Sequence, residues 1–258
     1  MTSLVQRYLV DGIMGKDLAV FGQILHPDYA FTSAGGTISG RDGAYVPMVR
    51  DYLAKEPTID VVIHDVVVGD GAVALWVTKR TTAPRTAAWP AILIYLAHEG
   101  RLVHCWSEQD WASHRRQVRE GVLAPVVLDA RTDPWLTTPV AADASTELVA
   151  FEWLRAGGWQ ADDLVLDDGG AISPERPELA FDRLTLSCCF TAGDRFAFHA
   201  TQHGRYLGGP RGRGAPPGSY ASLPAAGIGT VRDGRVVQAR VVTDRTAFAR
   251  SLVSSASS

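Results

Sequence analysis

Three cysteines in 258 residues leave no basis for a disulfide framework. Cys105 stands alone and Cys188 adjoins Cys189, an odd count without CxxC spacing, so neither a stapled secreted scaffold nor a thiolate metal site is expected. Long apolar runs are missing too, since nowhere does the chain approach the roughly 18 consecutive apolar residues of a membrane span. Met1 to Tyr8 lack the basic and apolar segments of a secretion signal. These absences predict a cytoplasmic protein with no membrane partner. An excess of one charge is also lacking. A net charge of −3 and a pI near 6.2 supply no basic field for phosphates, so nucleic acid is not an expected partner. Arg205, Arg211 and Arg213 are interleaved with Gly and Pro and read as a solvated loop.

What is present is ordinary for a globular protein able to bury a core: 46% hydrophobic and 21% charged residues. The length suits two small domains, and the chain repeats itself. Gly100 to Asp110 aligns without a gap on Gly234 to Asp244, each run preceded by strand-like and followed by helix-like sequence. Upstream, Val66-Val-Val-Gly-Asp matches Phe190-Thr-Ala-Gly-Asp, two β-rich runs around a turn. Further up, Ile24 to Asp28 can be laid on Leu164 to Asp168, so three landmarks keep one order in both halves.

The halves differ between landmarks. In the first, Gly40 to Leu53 reads as a helix with Tyr45, Val49, Tyr52 and Leu53 on one face, a segment the second half lacks. In the second, the Gly/Pro-rich stretch 204–218 lengthens a hairpin. Residues 1–120 and 145–258 are therefore read as two domains, joined by a proline-bearing linker over 121–144. Ser145 is the expected N-cap of the second domain's first helix. The element order, helices followed by long antiparallel strands, gives an α+β cone in each half: a curved sheet wrapped on helices around a pocket.

Ile24-Leu-His-Pro-Asp-Tyr29, Thr201 to Gly208, and Val231-Arg-Asp-Gly-Arg-Val-Val237 resemble the landmarks of SnoaL-like polyketide cyclases, in the nuclear transport factor 2-like superfamily. The resemblance covers most of residues 3–120 and 145–252. It implies two tandem cones, the second shortened, and a cofactor-free cyclase or isomerase with a hydrophobic, polyketide-like substrate. It also implies a wall carboxylate whose pKa burial raises toward neutrality. The positions where relatives carry that acid hold Ser33 and Ser107 in the first half and Ser173 and Val241 in the second.

The acid–base candidates that remain in the first half are Asp65, His104 and Glu108. Asp65 shares even spacing with Val61, Ile63 and Val67, which would aim it into an apolar cavity, where an unpaired carboxylate is costly unless functional. On the last strand, period two sets Ser107 against His104 and Glu108, so an inward Ser107 turns both outward unless a bulge intervenes. Tyr29, Tyr45, Trp76, Trp89 and Ser107 are the expected substrate-binding residues. Asp110 and Asp244 read as helix N-caps. His199, Thr201 and His203 share a strand face, but no third ligand is well placed, so no metal is expected. The two halves are expected to pair through their outer sheet faces as an intrachain pseudo-dimer, open to further homo-oligomerisation. A non-catalytic small-molecule-binding or assembly module is the alternative. An epoxide hydrolase is disfavoured because the Asp-Arg-Asp arrangement of limonene epoxide hydrolase has no counterpart.

Overall fold

The computed structural model describes residues 1–123, 130–157, 159, 161–167, 178–209 and 215–255. In the first half, α1 (Thr2–Gln6) runs on as a wider helical stretch, Arg7–Met14, and α2 (Val20–Ile24) leads into β1 (Leu25–Ser33) and β2 (Gly36–Ser39). A helical turn, Arg41–Tyr45, then opens α3 (Val46–Lys55), and it buries Tyr45, Val49 and Leu53 on the face their spacing defines. β3 (Asp60–Val68), β4 (Ala72–Thr81), β5 (Ala87–His98) and β6 (Arg101–Gln109) follow, closed by α4 (Trp111–Glu120). The six strands form one sheet in the order β2-β1-β6-β5-β4-β3, antiparallel except for the β1/β6 pair.

The second half has α5 (Ala144–Arg155), β7 (Asp163–Asp167), β8 (Leu179–Ala192), β9 (Arg195–Tyr206), β10 (Tyr220–Arg232), β11 (Arg235–Thr243) and α6 (Arg245–Ser255). Its sheet runs β7-β11-β10-β9-β8, again with one parallel pair, β7/β11. The order is that of the first sheet without its edge strand β2. Both final hairpins turn on a residue pair with positive φ at each position, Glu99-Gly100 and Asp233-Gly234. Two such residues make the mirror-image turn that suits the strands' right-handed twist, and glycine takes the second position without strain. The fold is thus α+β, with two curved sheets each backed by helices. The segments that distinguish the halves in sequence fall partly on 168–177 and 210–214, outside the described residues, as do Ser173 and Asp168.

Helix starts follow side-chain chemistry. Asp110 accepts the Ser113 N–H at 2.8 Å, and Asp244 accepts those of Thr246 and Ala247 at 2.7 and 2.9 Å. Ser145 is not the cap of α5. Asp143 is, accepting the Thr146 N–H at 2.8 Å while the Ser145 hydroxyl donates to the same carboxylate oxygen. A carboxylate two residues earlier captures the amide the serine would have taken. Replacing Asp110 by alanine should lower stability by about 1 kcal/mol, and asparagine, which still caps, should restore most of it. Thermal or urea melting of the two variants checks this.

The interiors of the cones differ. In the second, Trp153, Trp159, Phe196 and Phe198 stack together. A Cβ on Gly227 or Gly229 of β10 would stand 2.5 or 2.4 Å from the rings of Phe198 and Phe196, so only glycine lets those rings lie on the strand. Val241 is buried in the same cluster. Between the sheets, on the faces turned away from both cones, Val67, Ala74, Ile92, Ile94 and Trp106 pack against Ala197, Ala226, Ile228 and Val242. The link between the halves runs along the open edge of β3, where Arg131 and Val140 donate backbone N–H bonds to Ile63 and Val68 at 2.7 and 2.9 Å. Among the described residues no helix is long and apolar enough to cross a membrane.

Candidate functional site

Alternation along three strands builds the interior of the first cone. On β4, Val73, Leu75 and Val77 enter the core, and Lys79, next in that series, reaches a cavity of about 100 Å³. On β6, Cys105, Ser107 and Gln109 face the same space, as do Phe31 and Ser33 at the end of β1. Tyr8, Tyr45 and Tyr52 close it from the helices, and Trp111 closes it from α4.

The cavity's polar groups are few and held in place. Gln109 donates to the Ser107 hydroxyl at 3.0 Å and accepts from the Trp89 indole N–H at 3.1 Å. The hydroxyls of Tyr8 and Tyr45 hydrogen-bond each other. Tyr29 and Tyr95 pack edge-on to them, with ring centroids 4.8 Å from Tyr45 and 5.1 Å from Tyr8. Burial raises all four phenols well above their ordinary pKa, so they stay neutral and able to donate. The Tyr52 hydroxyl is shielded from solvent with no hydrogen-bond partner among the described residues.

Lys79 is the cation of this wall. Lysine occurs three times in the chain, and Lys16 and Lys55 are exposed. Desolvation lowers the Lys79 amine from 10.5 to about 8, and among the described residues no carboxylate pairs with it. Its Nζ lies 6.0 Å from the centre of the Tyr52 ring. The neighbouring thiol is no rival nucleophile, since burial pushes Cys105 up to about 12.

The structure brings together some of the residues singled out from sequence and disperses others. Tyr45 and Ser107 line the cavity. So does Ser33, so two serine hydroxyls stand on the cavity wall. Tyr29 stands behind Tyr45 as its packing partner, and Trp89 acts through Gln109.

Asp65 does not project into the cavity. A bulge between Ile63 and Asp65 lets His64 take up one residue of register, so Asp65 pairs opposite Trp76 and turns outward. There it meets Arg195 of the second half at 2.5 Å and Arg131 of the link at 3.2 Å. Trp76 faces outward too, beneath the Arg240 guanidinium at 3.6 Å. His104 also lies on the outer face, stacked 3.7 Å from Trp106 and hydrogen-bonded to Thr32 at 2.9 Å; desolvation lowers its pKa. Glu108 is wholly buried between the sheets, 2.9 Å from His199 Nε2. Burial raises its pKa, against the opposing pull of that histidine.

Replacing Asp65 by asparagine should therefore leave the cavity's chemistry intact. It should lower stability by about 1–2 kcal/mol, because Arg195 loses its charged partner. Activity and melting temperature measured on one preparation separate the two effects.

The strand order, with a pocket between sheet and helices, is that of an α+β cone. Residues 5–105 match the family model of the SnoaL-like domain. Among solved structures, the chain is similar to IdmH from Streptomyces antibioticus, a candidate polyketide cyclase. That likeness has 18% identity, covers 47% of this chain and 98% of the other, and has a TM-score of 0.42. It is also similar to an epoxide hydrolase of Mycobacterium tuberculosis resembling limonene epoxide hydrolase (16% identity, 46% and 90% coverage, TM-score 0.42). A third is a protein from Catenulispora acidiphila with a ketosteroid isomerase-like fold (15% identity, 40% and 82% coverage, TM-score 0.36). No curated protein matches this sequence.

Proposed function

We propose that the protein is a cofactor-independent cyclase or isomerase that moves a proton on a polyketide-like, largely apolar substrate held in the cavity of its first cone. The observation that carries this reading is Lys79, an amine brought near neutral pKa inside an apolar, tyrosine-lined cavity of a SnoaL-like domain. A base is most useful when its pKa lies near the working pH. An amine desolvated to about 8 meets that condition as a raised carboxylate would. In its neutral form Lys79 takes the proton next to a carbonyl, and a cavity phenol donates to the oxygen on which charge develops. Tyr52, whose hydroxyl is otherwise without a partner among the described residues, suits that role.

The two halves are read as copies of one domain, with residues 145–258 the degenerate copy. Its packed interior and the face it presents to the first sheet fit a scaffold that pairs with its neighbour as an intrachain pseudo-dimer. A second reading is a ligand-binding module without chemistry, favoured by the hydroxyls at Ser33 and Ser107 in place of acids.

Deuterium exchange at the carbon next to the carbonyl of 2-tetralone, an apolar bicyclic ketone, tests the choice when followed by NMR. Exchange above the buffer rate, saturable in ketone, is the expected result. Saturable binding without exchange would favour the binding module.

A further inference from the structure

We propose that Lys79 is also a nucleophile, and that the cavity takes ketones or aldehydes whose carbonyl carbon condenses with its amine to an imine. The inference rests on reading the first cone's cavity as the reactive site, and goes beyond it by naming the bond that forms and the functional group the ligand must carry.

Geometry is the first support. Lys79 sits on a β-strand, and alternation after Val73, Leu75 and Val77 fixes the direction of its stem. Among the described residues no carboxylate pairs with it, so the amine is not committed to a structural ion pair. The cavity is lined chiefly by apolar and aromatic side chains. It therefore favours the uncharged amine, whose lone pair is the reactive one, and selects apolar partners. Burial acts in the same direction, bringing the amine to about 8.

The second support is the Tyr52 hydroxyl, shielded and without a partner among the described residues, on a ring whose centre lies 6.0 Å from Lys79 Nζ. A buried hydroxyl with no partner costs free energy that a bound ligand's oxygen would recover. A carbonyl between the two would accept from the phenol while its carbon faced the amine.

The condensation balances without oxidant or reductant. The nitrogen lone pair forms a C–N bond to the carbonyl carbon, and the C=O π electrons pass to oxygen, which takes a proton, giving the carbinolamine. A second proton on that oxygen lets the C–O bond break with loss of one water, and loss of the remaining N–H proton leaves the imine. Protonated, the imine withdraws electrons from the adjacent carbon more strongly than the ketone does; while it stands Lys79 has no lone pair to act as base, so the proton then passes to water rather than to the Lys79 amine.

Lysine's scarcity makes the test clean. The full-length protein is incubated at pH 8 with 2-tetralone or 2-naphthaldehyde and cyanoborohydride, which reduces an imine to a stable secondary amine, and is then mapped by peptide mass spectrometry. At that pH an amine of pKa about 8 is half neutral, whereas an exposed lysine near 10.4 is less than about 1% neutral, so labelling at Lys79 should exceed that at Lys16 or Lys55 by at least about tenfold. Labelling should saturate with ketone, and Lys79→Arg, checked for an unchanged melting curve, should lose it. Equal labelling of the three lysines overturns the imine. So does ketone exchange that depends on Lys79 without any trapped adduct, an outcome that leaves the proton-transfer reading standing. Absence of adduct and of exchange together overturns both.

Discussion

Lys79→Met is expected to reduce 2-tetralone exchange by at least about 100-fold, the usual scale for losing a positioned general base. Methionine keeps an unbranched apolar stem of similar reach, so the cavity retains its volume and the fold its stability. The wild-type rate should rise about tenfold per pH unit below about pH 8 and level off above it, because the neutral amine is the active form and its pKa lies near 8. The same shift makes a stability prediction whose sign follows from proton counting. The folded pKa lies below the unfolded value, so between about 8 and 10.5 the unfolded chain holds more protons than the folded one. Lys79 therefore makes the protein more stable as pH rises through that window, and Lys79→Met should remove that rise. Initial rates and urea melts at pH 7 to 10 measure both. A variant that exchanges ketone at the wild-type rate would remove Lys79 from the chemistry.

His199→Leu is expected to destabilise the pairing of the two halves by about 3 kcal/mol, the cost of leaving a buried carboxyl without its partner. Glu108 is wholly buried and His199 nearly so, and the bond between them crosses from the first sheet to the second. His199 is the one side chain hydrogen-bonded to Glu108 among the described residues, so removing it leaves the buried carboxyl without its main partner. Glu108→Leu combined with His199→Leu should recover most of the loss, since two apolar groups suit the surrounding Ala, Ile and Val contacts. A double-mutant cycle by calorimetry reads the coupling directly. Additive losses would mean that the two side chains do not depend on each other.

Local chemistry made much of this legible in the sequence. The hairpins at Gly100 and Gly234 and the caps at Asp110 and Asp244 each follow from a few neighbouring residues and are found, and the helix read over 40–53 appears as a turn over Arg41–Tyr45 and a helix over Val46–Lys55. Strict alternation on β6 turned Ser107 inward and Glu108 outward, as observed. The same rule applied to β4 sets Trp76 outward and Lys79 inward with Val77. A signal for Lys79 was therefore present in the alternation of β4 itself. Asp65 is a different case. Its direction depends on a bulge at His64 that no residue type announces, and one extra residue exchanges the two faces of a strand. Nor could the partners of Glu108 and Asp65 be read locally, because His199 and Arg195 come from a strand roughly a hundred residues away whose alignment is set only when the sheets pack.

The state of the Lys79 amine is most directly measured by NMR titration of the protein after reductive 13C-methylation of its three lysines, with Lys79→Arg assigning the resonance. Besides the N-terminal amine, whose ordinary pKa is also near 8, the Lys79 signal is expected to titrate near pH 8, two units or more below the other two lysines, and to shift on addition of 2-tetralone. Three lysines that all titrate near 10.4 and ignore the ketone would contradict the assignment of a reactive amine to the first cone.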